Sequence, residues 1–414
     1  MNRPRTKVIL VFMATLLFIS SLAISCTPGR GFDNRLRSII RPYSFSILKW
    51  ELDTILKEVR KTTEDRQKEI DNEVGKVEEY FSSVKRIKSL KSDIAAIKSG
   101  NKQGDAVSLE AELNRLQQQN LAIAEIVEKT VEKQIREVLS QQRIFNPIYK
   151  YLRLEIGFPP LNFKLGEPPN LLVVSPRDRI ESLREATLQP NISLEDIENL
   201  EAEVDELGVS SLIVGLGGFA GTYPSFVTNE ADLQFTIDSA AEEWLHQYLA
   251  FKPLGFRYLL DLSGVSRNYE IATINETVAG MVSKEIGSIA YKKYYSQYEN
   301  GDTQPQATES GFDFNREMRE IRKAVDEYLA RGELEQAEAF MEQKRQYLSA
   351  NGYYIRKLNQ AYFAFYGTYA DRPTSISPIG VELKKLRSQS DSLRDFLETA
   401  AALTSRQDLT YILE

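Results

Sequence analysis

Apolar positions are distributed unevenly along this chain, and their spacing predicts its elements. A continuous apolar run covers Val8 to Ile24. From about Ser46 to Ser140 apolar residues recur among Lys, Glu and Gln without a proline, interrupted only by "SGNKQGD" at 99–105. Two helices joined by a turn are predicted. On the second arm Leu109, Leu113, Leu116, Asn120, Ile123 and Val127 advance by alternating fours and threes, and on the first Val84, Ile87, Lys91 and Ile94 do the same. That is a heptad seam, so residues 46–143 are expected to form an antiparallel coiled-coil hairpin, with arms of roughly 60 Å at about 1.5 Å rise per residue. It can serve as a spacer, as an arm that docks an envelope protein, or as a solvated helical pair with no partner.

The texture changes at "FNPIYKYLRLEIGFPPLNFKLGEPPNLLVVSP", where five prolines fall between Pro147 and Pro169. A domain over 144–414 is expected to begin there and to fold without the hairpin. Strands are predicted at about 170–175, 210–215 and 222–227. Helices are predicted at 193–206, 233–252, 268–298, 313–350, 352–370 and 379–404. The class is mainly α with a small β-sheet.

Charge and the N-terminus add a location. Arg3, Arg5 and Lys7 precede the first apolar run, and small Ser25 precedes Cys26, the sole cysteine of the 414 residues. This is the layout of an export signal. "AISC" also resembles the end of a bacterial lipoprotein signal, with Ala23 where leucine is usual. The resemblance implies a signal peptide over 1–25, lipidation of Cys26 and an anchor and tether over 26–45. An uncleaved anchor helix is the alternative, its apolar run being at the short edge of the roughly 17–25 residues that span a bilayer. Either way the chain is expected outside the cytoplasmic membrane, attached to it. Removing residues 1–25, with three positive charges and no acid, takes the formal charge from −7 to −10, which argues against a nucleic-acid partner.

Candidate chemistry concentrates in two stretches. "SLIVGLGGFAG" at 211–221 has dinucleotide-fingerprint spacing at Gly215, Gly217 and Ala220, but "TYPSFV" follows in place of a helix. A glycine-rich turn between strands is therefore expected. "AAEEWLHQYL" holds the only histidine, His246, with Glu242 one turn before it and Glu243 beside it. Positions i and i+4 share a helix face, so Glu242 and His246 can meet one ion. A di-iron site built on Glu-x-x-His needs two histidines and fails on inventory.

The stretch resembles the His-Glu-x-x-His motif of zinc peptidases with its first histidine replaced by Glu242. "YEIATINETVAGMVSKEIG" follows, and its Asn275-Glu276 with small Ala279 and Gly280 resembles the glutamate-ligand helix of the gluzincin, thermolysin-like metallopeptidases. "GTYPSFV" resembles the edge strand on which such enzymes lay an extended peptide. The resemblance covers about residues 210–290. It implies a gluzincin-like domain whose ion is held by Glu242, His246 and Glu276, with Glu243 taking a proton from the ion's water as that water attacks a peptide carbonyl.

Two carboxylates would neutralise a divalent ion, acidify its water less than a His-His-Glu set does, and shift preference from zinc toward manganese. The alternative is an inactive envelope scaffold that keeps the peptide groove, its acids held by a basic neighbour such as Arg267 or Arg356. Downstream, Tyr362, Tyr366 and Tyr369 fall at i, i+4 and i+7. An aromatic stripe of this kind usually packs in a core, but Tyr366 is the candidate phenol for an oxyanion.

Overall fold

The computed structural model describes residues 30–45, 73–99, 101–147, 157–297 and 312–414. The export and lipidation features, with Cys26, lie outside these residues, as does the first part of the expected hairpin, 46–72. No helix among the described residues is long and apolar enough to cross a membrane.

Helix α1 (Arg30–Ile40) falls within the stretch expected as a tether, yet it is folded onto the body. Leu36 and Ile40 are buried, and Asp33 pairs with Arg184 at 2.9 Å. Next come α2 (Val74–Lys98) and α3 (Ala106–Gln141), which pack side by side. Arg86–Glu112 and Lys98–Glu110 ion pairs, and the Asn120 amide donating to the Tyr80 carbonyl, set them antiparallel. The buried positions on α2 depart from the expected seam: Leu90 is fully buried, while Lys91 is exposed and pairs with Glu230. A charged ammonium stays in water when a leucine one position away can turn inward.

Strands β1 (Phe163–Gly166), β2 (Asn170–Pro176) and β3 (Arg184–Leu188) follow, then α4 (Leu194–Asp205), capped by Ser193. After them come β4 (Val209–Gly215), β5 (Gly218–Phe219) and β6 (Ser225–Thr228). They make two small sheets. One runs β3-β2-β4, all antiparallel; the other runs β1-β6-β5, with β1 parallel to β6. The glycine-rich stretch joins strands, as expected, with no helix following it.

The body is completed by α5 (Leu233–Leu249), α6 (Pro253–Leu262) and α7 (Tyr269–Tyr295). Two further helices, α8 (Phe314–Ala330) and α9 (Leu334–Ala350), form the next pair. The C-terminal part holds α10 (Gln360–Tyr366), α11 (Ile379–Gln389), α12 (Leu393–Ala401) and α13 (Arg406–Leu413). The architecture is mainly helical with small sheets.

The central core is built around α5 and α7, and it continues into the helical pair. Val127, Val131, Ile135, Val138 and Leu139 of α3 join Leu245 and Leu249 of α5 and Val278 and Val282 of α7 in one apolar cluster. The core therefore does not stop at the boundary expected near 143. Two buried acids of α3 complete the junction. Glu132 accepts from the Phe163 N–H and Glu128 from the Leu165 N–H, while Lys164 pairs with Glu128 at 2.8 Å. Alternate N–H groups on the open edge of β1 are thus satisfied by a helix, which protects an edge that would otherwise pair at random.

Candidate metal centre

Helix α5 starts where Asp232 accepts from the Phe235 N–H, an ordinary N-cap. Helical spacing then sorts "EEWLH". Trp244 turns to the interior and donates to the Pro159 carbonyl at 2.7 Å, and Leu245 is fully buried. Glu242, Glu243 and His246 are left on the side that meets α7 and the β5 loop.

Helix α7, capped by Asn268, packs against α5 and brings Asn275 and Glu276 opposite His246. Asn275 Oδ1 lies 3.2 Å from His246 Nδ1, so it can accept from that nitrogen and leave Nε2 as the lone-pair donor. His246 Nε2 lies 3.7 Å from Glu276 Oε2. One ligand atom from each of Glu242, His246 and Glu276 lies within 4.8 Å of the other two. Three atoms so related share a point at most 4.8/√3, about 2.8 Å, from each. Ion–ligand distances of roughly 2.0–2.2 Å are a fraction of an ångström to an ångström away, within side-chain adjustment.

The electrostatics fit a cation. Glu242 Oε1 is buried without a hydrogen-bond partner, a state that costs free energy unless something positive answers it. Burial, with Glu276 nearby, raises the Glu242 carboxyl above its ordinary range, against the opposing pulls of His246, Arg372 and Lys284. Glu243 is pushed well above the carboxylate range by burial, then by Glu242 and Glu276. Neither arginine named from sequence holds the cluster. Arg356 is committed to Glu201 at 2.6 Å, and Arg267 lines the adjoining cavity, where its charge acts on Glu185 and Asp261.

That cavity has a volume of about 510 Å³. Glu243, His246 and Glu276 lie in its wall, with β5 and the Gly221 turn on one side and Tyr258 and Tyr369 among the aromatic residues on the other. Glu243 reaches over Gly218, where a Cβ would overlap its carboxylate, and accepts from the Ala220 N–H. Gly280 faces Glu242 Oε1 and the Tyr369 ring.

Tyr366 is placed elsewhere. It packs against Tyr362 and Phe365 and is not among the residues lining the cavity. Helix α10 ends at Tyr366, short of the expected 370, so the i+7 register fails and Tyr369 swings to the acids instead. The Thr277 hydroxyl, accepting from the Ala370 N–H, holds that segment on α7. Burial, then Glu276 and Glu242, push the Tyr369 phenol well above its ordinary value.

Tyr258, which donates to Glu276 Oε1 at 2.5 Å, belongs to no motif of the sequence. Its helix, α6, announces itself only by Pro253 at the first helical position. No family model matches the chain, and neither curated proteins nor solved structures give a match.

Proposed function

We propose that the chain is a membrane-anchored, extracytoplasmic metal-dependent peptide hydrolase with a gluzincin-like arrangement, in which Glu242, His246 and Glu276 hold a divalent ion, zinc or manganese. The observation that carries this reading is the convergence of three ligand atoms, one of them on the Glu242 carboxylate with its partnerless buried oxygen, where the other two residues, His246 and Glu276, line a cavity large enough for part of a peptide. A bound ion would supply Lewis acidity toward a carbonyl and toward water.

The chain's own groups supply the rest. Glu243, beside the cluster and in the cavity wall, takes the proton from the attacking water. Burial, then Glu242 and Glu276, raise its affinity for protons, which suits a group that accepts one. The Tyr369 phenol, rather than that of Tyr366, faces the site as a neutral donor. The apolar and aromatic remainder of the wall limits water.

The test is hydrolysis of an unstructured protein substrate by protein loaded with zinc or manganese. Wild type is expected to act only when loaded. Glu243→Gln is expected to keep the ion and lose roughly 10²–10⁴-fold in rate. Hydrolysis that survives Glu243→Gln would sink the mechanism, and an ion bound without hydrolysis would favour the scaffold. The anchoring part of the proposal rests on "AISC" and predicts a lipid-modified N-terminus at Cys26 by mass spectrometry of membrane-fraction protein. A mature chain that retains Met1 through Ser25 would refute it.

A further inference from the structure

The two oxygens of Glu276 are differently engaged. Oε2 faces His246 Nε2 within the ligand cluster, whereas Oε1 accepts from the Tyr258 hydroxyl at 2.5 Å. The Tyr258 ring also lies beside the imidazole, with centroids 6.3 Å apart and planes inclined by 36°. One side chain from α6 therefore bonds one of the three candidate ligands and lies beside a second. It comes from an element that contributes no ligand itself.

The phenol is suited to a fixed donor role. A phenol is an O–H donor at neutral pH, and here it donates to the outer oxygen of the Glu276 carboxylate. A ligand carboxylate whose outer oxygen is held by a hydrogen bond presents one oxygen inward and cannot rotate to offer both. One-oxygen coordination keeps the ligand count low, as four-coordinate zinc prefers, while manganese favours more oxygen donors.

We propose that Tyr258 is a positioning residue for the ion site: by occupying Glu276 Oε1 it confines this ligand to Oε2 and biases the site toward zinc over manganese. The inference rests on the ion-site reading above. It runs against the composition of the ligand set, whose two carboxylates alone favour manganese. The preference of the site is thus set partly outside its three ligands.

Competition titrations with a chelating dye, using zinc and manganese separately, test it on wild type, Tyr258→Phe, Glu276→Gln and the double variant. Tyr258→Phe keeps the ring and removes one oxygen from a cavity wall, so it folds; its metal-free melting temperature checks this. Zinc affinity is expected to fall roughly 10–100-fold, the cost typical of losing a partner to a metal ligand. Manganese affinity is expected to fall less, narrowing the ratio between the ions. In the Glu276→Gln background Tyr258→Phe is expected to add nothing, since its effect passes through that carboxylate.

Unchanged affinity for both ions in Tyr258→Phe would overturn the inference. So would equal losses for both ions with a matching drop in metal-free melting temperature, the signature of a purely structural contact. Binding of neither ion by wild type would overturn the site itself. That result is read before any variant, so the two failures are distinct.

Discussion

Glu242, His246 and Glu276 illustrate what spacing reveals and what it hides at the scale of single residues. The i, i+4 relation of Glu242 and His246 put both on one helix face, and the Asn-Glu pair on the following long helix supplied the third acid; local periodicity suffices for each. Tyr258 and Tyr369 were hidden, because their roles depend on where α6 and the segment after α10 cross the cluster. Asp238, one turn before Glu242, makes a testable residue-scale case. It accepts from Gln234 at 2.7 Å and lies where a side chain at Gly287 would overlap it. Burial raises its carboxyl from 3.8 to about 7, with Gln234 and Lys284 opposing and Glu242 and Asp232 adding to the rise. A folded-state value above the unfolded one means that the native state binds the extra proton, so stability falls as pH rises from about 4 through about 7. Asp238→Asn mimics the protonated acid. Urea unfolding should find it close to wild type at pH 4 and about 1–3 kcal/mol more stable at pH 8. An equal difference at both pH values would contradict this account.

At the scale of elements, the strands β2, β4 and β6 and the helices α4, α5 and α7 were legible from alternation, caps and helical period. Those missed have specific causes. β1, β3 and β5 are only two to five residues long and partly exposed, too short for a period to register. The expected helix at 313–350 divides at Gly332, whose φ of 74° is left-handed and ends α8. The expected helix at 352–370 shrinks to α10, which starts only at the Asn359 cap. In the outer half of α3 burial is confined to one face, with Leu116 and Asn120 inward. Its inner half is buried on nearly every side, because it meets β1, α5 and α7 at once. A chain beginning at Ile144 therefore loses the five aliphatic side chains that α3 gives to the central core and both glutamates that satisfy β1. Large-to-small changes in such cores cost about 2–5 kcal/mol each. Circular dichroism of that shortened chain should show no cooperative thermal transition, whereas one near the wild-type temperature would mean that the hairpin is separable after all.

For the whole molecule, the helical pair, the two sheets and the α5–α7 body together support the acidic cluster beside the cavity. α3 secures β1, β1 pairs with β6, β6 carries β5, and β5 is the ledge over which Glu243 reaches. The function proposed here follows only if that cluster takes a cation. Calorimetric titration of the metal-free chain with zinc and with manganese at near-neutral pH tests this most directly. One ion should bind per chain, and Glu242→Ala, His246→Ala and Glu276→Ala should each weaken it by more than the roughly 10–100-fold that outer partners cost. Glu242→His, which restores the two-histidine motif, should bind zinc more tightly than wild type. Absence of binding for both ions in wild type, with Glu242→His binding no better, would contradict the account and leave "EEWLH" an ordinary helix beside a cavity.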